Sequence, residues 1–130
     1  MLIYLYRILI NIVFIFSPII IILRLFKNKE DFKRFKEKFC IFSHKKKQKK
    51  LIWFHGASVG ELLSVIPLIN KLEKDKNVDQ ILVTTSTLSS SKVFNNFKFK
   101  KTIHQFFPID TNFLSKKFLN YWKPSLVIFI

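Results

Sequence analysis

Apolar positions follow three regimes along the chain. From Leu2 to Leu23 nearly every position is Ile, Leu, Val, Phe or Tyr, and Arg7 is the only charge. A helix of that length rises about 33 Å, enough for a hydrocarbon core of roughly 30 Å. Asn11 and Ser17 interrupt it, and Pro18 predicts a kink that membrane helices tolerate. From Arg24 to Lys50 the pattern turns basic: twelve Lys or Arg stand against three acids, Glu30, Asp31 and Glu37. After Lys50, short apolar runs alternate with stretches of three- and four-residue periodicity.

The third regime predicts an α/β domain. Leu51 to His55 is a buried strand that ends at Gly56. Leu62, Val65, Ile66, Ile69 and Leu72 mark one face of an amphipathic helix, and Pro67 within it removes a backbone hydrogen bond and bends it. Ile81 to Thr85 is a second strand. A Ser-rich turn and a short helix near residues 90–97 follow. A third strand covers Thr102 to Phe107 and stops at Pro108. Asp110 or Thr111 caps a helix through about Tyr121, and Ser125 to Ile130 begins a fourth strand. Alternating strands and helices imply a parallel sheet covered on both faces, with ligands at the carboxyl ends of its strands. Because the chain stops on an apolar run, a truncated, Rossmann-like sheet with a partial core is expected. The organisation read from the pattern is a transmembrane anchor at 1–26, a basic juxtamembrane segment at 27–50 and an α/β domain at 51–130.

Charge refines the first two regimes. A secretory signal would end in a small-residue cleavage site, whereas this stretch runs into Arg24-Leu25-Phe26-Lys27. Positive residues flanking a membrane helix mark the cytoplasmic side, so the body is expected in the cytoplasm. The formal net charge of +15 asks for a polyanionic neighbour. The adjacent apolar helix favours an anionic membrane surface over nucleic acid. The run Lys45-Lys46-Lys47-Gln48-Lys49-Lys50 reads as a solvated linker. A hydrophobic content of 49% excludes a disordered chain. Cys40 is the single cysteine, so no internal disulfide can form, and no cluster around it, His55 or His104 suggests a metal. The aromatic residues, Trp53 and Trp122 among them, read as core and interface.

Gly56 and Gly60, the only two glycines, lie in one five-residue turn. Glycine permits positive φ and close backbone approach. The helix N-terminus beyond it suits an anion. Ser58-Val59-Gly60-Glu61 fits a capping box, in which Ser58 caps and Glu61 reaches back. A carboxylate at the mouth of a parallel sheet is also placed to act as a general base. The turn is neither a dinucleotide fingerprint nor a phosphate loop.

Trp53-Phe54-His55-Gly56-Ala57-Ser58-Val59-Gly60-Glu61, followed by Leu63-Ser64-Val65-Ile66-Pro67-Leu68, resembles the signature of the Kdo (3-deoxy-manno-octulosonic acid) transferases. Three further stretches agree in order: Ile81 to Thr87, His104 to Asp110, and Phe118 to Leu126. The resemblance covers the whole chain but about the first third of a family member. It implies the N-terminal, acceptor-binding half of a two-domain GT-B glycosyltransferase at the bacterial inner membrane, without cofactor or metal. The family transfers Kdo from CMP-Kdo to the lipid A precursor, lipid IVA. The resemblance makes Glu61 the general base and gives Ser58, Gly60 and Lys38 to substrate binding. Capping and catalysis by Glu61 would then coexist only if the carboxylate released the backbone. Three positions depart from the family. Ser86 stands where glycine is common, and Glu37-Lys38-Phe39-Cys40 replaces a Glu-Arg-hydrophobic-Gly segment. Lys lacks the bidentate phosphate geometry of Arg, and Cys40 is expected to obstruct a turn. The rival readings are an inactive membrane-anchored remnant that binds anionic lipid, and another nucleotide-sugar transferase.

Overall fold

A computed structural model describes residues 2–47 and 50–130. Met1, at the start of the expected anchor, and Gln48 and Lys49, within the Lys45–Lys50 run, lie outside the described residues. Helix α1 (Leu2–Phe26) comes first, then a short 3-10 helix (Phe35–Phe39). Strands and helices alternate thereafter: β1 (Leu51–His55), α2 (Val59–Glu73), β2 (Gln80–Thr85), α3 (Leu88–Phe94), β3 (Thr102–Phe106), α4 (Asn112–Trp122) and β4 (Leu126–Phe129). The fold is α/β, as expected. Its four parallel strands run in the order β3-β2-β1-β4. It is consistent with the N-terminal half of a GT-B glycosyltransferase.

Alternation along each strand sorts the core into two layers. Ile52, Phe54, Ile81 and Val83 pack with Leu62, Ile66 and Ile69 of α2 and Phe94 of α3. Leu51, Trp53 and Leu82 point the other way, onto Leu114, Phe118 and Trp122 of α4 and onto Cys40. Each fully buried large side chain contributes about 1.5–3 kcal/mol. Local chemistry starts the three helices of the domain in one way. Ser58, Thr87 and Thr111 are extended N-caps whose hydroxyls accept from the N–H groups of Glu61, Ser90 and Leu114. A cap of this kind stabilises by about 1 kcal/mol. Thr87 therefore starts α3 two residues ahead of the expected position, and the helix ends at Phe94 instead of Phe97. Helix α2 runs unbroken through Pro67, which sits on its exposed side.

Of the acids in the basic segment, Glu37 fastens it to the domain, while Glu30 and Asp31 bond to α1 and within the segment. Glu30 accepts from Arg24 Nε at 2.6 Å and from Lys38 Nζ at 2.7 Å. Asp31 Oδ1 accepts from the Lys33 and Arg34 backbone. Glu37, fully buried, accepts from Arg34 and from the Phe106 backbone N–H at 2.8 Å. Further on, the Gln80 side chain bridges Lys47 N–H and the Lys45 carbonyl, and Asp79 accepts from Lys50 N–H. Those residues are thus held to the start of β2, while their own side chains stay largely at the surface.

The turn that Cys40 was expected to obstruct forms all the same. Cys40 adopts φ 55° and ψ 40°, the left-handed conformation, and closes the 3-10 helix. A non-glycine residue there costs about 1–2 kcal/mol. The offsetting contacts are burial among Trp53, Leu114 and Phe118 and a hydrogen bond donated by the thiol to the Leu114 carbonyl at 3.3 Å. Burial pushes the thiol pKa up to about 11, so Cys40 is an inert core residue.

Candidate functional site

The strand order reverses direction at β1, because β2 and β3 lie on one side of it and β4 on the other. In open parallel sheets the crevice at such a switch, beyond the carboxyl ends of the strands, is where ligands bind. The turn Gly56-Ala57-Ser58 leaves β1 at this point and feeds α2.

The capping box read from the sequence is present. Ser58 Oγ accepts from Glu61 N–H at 3.3 Å, and the Glu61 carboxylate accepts from Ala57 N–H at 2.5 Å and Ser58 N–H at 3.2 Å. Both bonds to the carboxylate use Oε2. The other oxygen takes no part in the capping box, so the cap does not occupy the whole carboxylate.

The two glycines differ in purpose, and neither has positive φ. A Cβ on Gly56 would lie 3.1 Å from Glu61 Cβ and 3.4 Å from Ile130 Cδ1, so this glycine allows close packing beneath the carboxylate. A Cβ on Gly60 would meet nothing within 4 Å. No neighbour in the chain requires glycine there.

Beneath the turn, Thr84 joins two side chains of β1. The Trp53 indole N–H donates to Thr84 Oγ1 at 2.8 Å, and His55 Nδ1 lies 2.9 Å from the same oxygen. Burial lowers the His55 pKa, against smaller opposing effects of Thr84 and of the nearby Glu61 carboxylate. The ring is therefore neutral near pH 7, and it lies tilted against Phe107 at 4.1 Å between centroids.

A groove of about 470 Å³ opens on the α4 side of the same sheet end, lined by Trp53, Phe107, Asp110, Phe118, Val127 and Phe129 among others. Its walls are almost wholly apolar, with Asp110 as the charged group at its edge. Lys38, expected to contact substrate, is paired with Glu30 through both carboxylate oxygens at 2.7 Å and lies over the Phe106 ring. Ser58, Gly60 and Glu61 are brought together in one turn, and Lys38 sits beside a different cavity, with Ser17, Ile21 and Ile109. Among the described residues no group of three His, Cys, Asp or Glu could hold a metal ion.

Sequence reasoning missed a buried polar cluster beyond β3. Arg34 donates to both Glu37 oxygens at 2.9 and 3.0 Å, to the His104 carbonyl at 2.6 Å and to Ser91 Oγ at 3.2 Å. His104 Nε2 is 2.8 Å from Thr85 Oγ1. Burial, then the Arg34 and His44 charges, lower the His104 pKa to about 3. The available signal was the rarity of acids in the basic segment, and Glu37 three residues after Arg34.

Comparison with known proteins decides the family. The family model described as 3-deoxy-D-manno-octulosonic-acid transferase (kdotransferase) matches residues 33–130. The chain belongs to the Kdo transferase family. A 3-deoxy-D-manno-octulosonic acid transferase of Rickettsia bellii is 43% identical over 112 residues, which is 86% of this chain and 27% of the relative. A probable mitochondrial 3-deoxy-D-manno-octulosonic acid transferase of Arabidopsis thaliana is 38% identical over 99 residues, 76% of this chain and 22% of the relative. The Haemophilus influenzae enzyme of the same name is 32% identical over 77 residues, 59% of this chain and 18% of the relative. This Kdo transferase chain thus spans about a quarter of the length of the first two curated relatives, 27% and 22%. No solved structure matches it. The match begins at Lys33, inside the basic segment, and so takes in Arg34 and Glu37 together with the sheet.

Proposed function

We propose that this chain forms the acceptor side of a glycosyltransferase that moves Kdo from CMP-Kdo to a lipid A precursor, with Glu61 as general base. The acceptor hydroxyl meets the free oxygen of Glu61, gives up its proton and attacks the anomeric carbon of Kdo, and CMP leaves. Ser58 and Gly60 border the hydroxyl, and the apolar groove beside Trp53 and Phe129 takes part of the acyl region. Lys38 serves this reading through its pair with Glu30, or by exchanging that partner for an acceptor phosphate. The donor is held mainly by a second domain of the kind the longer relatives have room for. The body works at the cytoplasmic face of a bacterial inner membrane, to which α1 and the basic segment bind it.

One observation carries the reading. At the topological switch point a half-exposed carboxylate is oriented by two backbone N–H groups through a single oxygen. A carboxylate fixed in this way meets the geometric requirement of a general base.

The test is complementation. The chain is combined with the C-terminal domain of a relative and supplied with CMP-Kdo and lipid IVA. Transfer is expected from the combination and not from either part. Glu61→Gln should remove it by about 10²–10⁴-fold, the usual worth of a positioned acid–base group. Full transfer by the variant would overturn the assignment of the base. No transfer by any combination would favour a lipid-binding role without catalysis.

A further inference from the structure

Helix α1 is long and apolar enough to cross a membrane, yet its contacts argue for a different posture. The Tyr6 hydroxyl donates to Asp110 at 2.7 Å, Phe14 packs on Phe39 at 6.3 Å, Ser17 and Ile21 share a cavity with Glu30, Lys38 and Ile109, and Ser17, Ile21 and Leu25 are buried. Tyr6 and Leu25 are separated by about 28 Å of helix rise. The basic segment and the domain together therefore lie along α1 from Tyr6 to Leu25, and the domain does not hang from one end.

The polar residues of α1 obey the same geometry. At about 100° per residue, Tyr6, Arg7, Asn11, Ser17 and Arg24 all fall within about 90° of the face that meets the domain. Arg7 and Asn11 line a cleft with Asp110 and Asn112, and Arg24 pairs with Glu30. The opposite face is Leu5, Ile8, Ile12, Ile15, Ile19 and Leu23, each about half or more exposed. A helix crossing the bilayer in this arrangement would carry Asp110 and the first turn of α4 with it. Each charge taken to the bilayer midplane costs about 2.5–3.5 kcal/mol on insertion scales, and the loop before α4 would expose irregular backbone to lipid.

We infer that α1 lies parallel to the membrane surface, with its outer apolar face sunk into one leaflet and the domain seated on its inner face. This rests on the membrane association proposed above and sets its geometry. The occupant of the exposed face is an anionic lipid surface. Lys27, Lys29 and Lys33 follow directly on the helix and are exposed, and each near such a surface adds about 1 kcal/mol of attraction. A helix held this way sinks about 5–10 Å. Asp110 borders both the α1 cleft and the apolar groove, so the groove stands at the level of the lipid, where an acyl chain can enter sideways.

Depth measurement tests the posture. Leu5→Cys, Ile12→Cys and Ile19→Cys place spin labels on the exposed face, seven residues or about 10 Å apart. Cys40 stays in place, since it is buried and its thiol is held protonated. The full chain is bound to vesicles of phosphatidylethanolamine and phosphatidylglycerol, and collision with oxygen and with a water-soluble nickel reagent reports depth. The expected result is one shallow depth shared by all three labels. A deep Ile12 label flanked by two shallower ones would overturn the in-plane posture and leave the anchor reading standing. Labels fully accessible to the nickel reagent would overturn both.

Discussion

The carboxylates of Glu37 and Glu61 both accept backbone N–H groups, and they differ in what they leave unused. Glu37 is fully buried; its two oxygens take up the Arg34 guanidinium fork and the Phe106 N–H. Glu61 is half-exposed and spends one oxygen on Ala57 and Ser58. Both are hydrogen-bonded, so hydrogen bonding alone does not mark a working group. What separates them is spare capacity, since one oxygen of Glu61 lies outside its capping box. Glu37 joins the basic segment to β3, 69 positions away, whereas Glu61 closes a local turn and keeps one oxygen outside it.

The comparison breaks most sharply on stability. Glu37→Ala leaves the Arg34 charge in a mostly buried site without its partner, which costs about 3–5 kcal/mol for a broken buried pair. Glu61→Gln retains a side-chain oxygen for the same cap and should change stability by under about 1 kcal/mol. Urea denaturation of both variants measures this. Equal losses would mean that Glu61 is as structural as Glu37.

The contrast also explains what could be read in the sequence. β1 and the core of β2 were legible because parallel strands buried on both faces are continuous apolar runs. α2 was legible because Leu62, Ile66 and Ile69 keep one face and Ser58 and Glu61 sign its start. The Glu61 site is local, three residues from cap to carboxylate, and its family resemblance lies in one unbroken stretch. The Arg34–Glu37–His104 cluster spans 70 positions, so only the fold brings it together. Gln80 extends β2 by one polar, buried residue because its side chain bonds back to Lys45 and Lys47, which no periodicity signals. The inward stripe of α1 went unread because its polar members, Tyr6, Arg7, Asn11, Ser17 and Arg24, are widely spaced in a stretch that is otherwise apolar all round.

Acid distinguishes the two regions next. His104 is held neutral by burial beside Arg34, with a folded pKa of about 3 against an ordinary 6.5. Above pH 6.5 neither folded nor unfolded chain carries that proton, and the full stability is present. As pH falls below 6.5 the unfolded chain binds a proton that the folded chain refuses. Stability then drops by about 1.4 kcal/mol per pH unit until the folded pKa is approached. His44 and His55 are lowered in the same sense by burial and steepen the slope. Between pH 6.5 and 5, above the range where carboxylates titrate, His104→Gln should flatten the dependence of the urea midpoint on pH. An unchanged slope would remove His104 from the acid sensitivity and leave the cluster as packing alone.

The smallest expected shift in stability carries the most information about the site. Gly60 lies in the first turn of α2, without positive φ and with nothing within 4 Å of the Cβ it lacks. Gly60→Ala should therefore fold and gain up to about 1 kcal/mol of helix propensity, less so close to the helix end. Folding gives no reason for glycine at that position. A substrate that comes within contact distance of the helix backbone does, and an added methyl group would hold it away from Glu61. Gly60→Ala is expected to raise the urea midpoint slightly and to lower Kdo transfer by the complemented protein, through a higher KM for lipid IVA. Gly56→Ala is the control, since its Cβ would press on Glu61 Cβ at 3.1 Å and disturb the carboxylate from below. A Gly60→Ala variant that transferred Kdo at the parent rate and KM would place the acceptor elsewhere on the crevice. The free oxygen of Glu61 would then lack the neighbour that gives it a role.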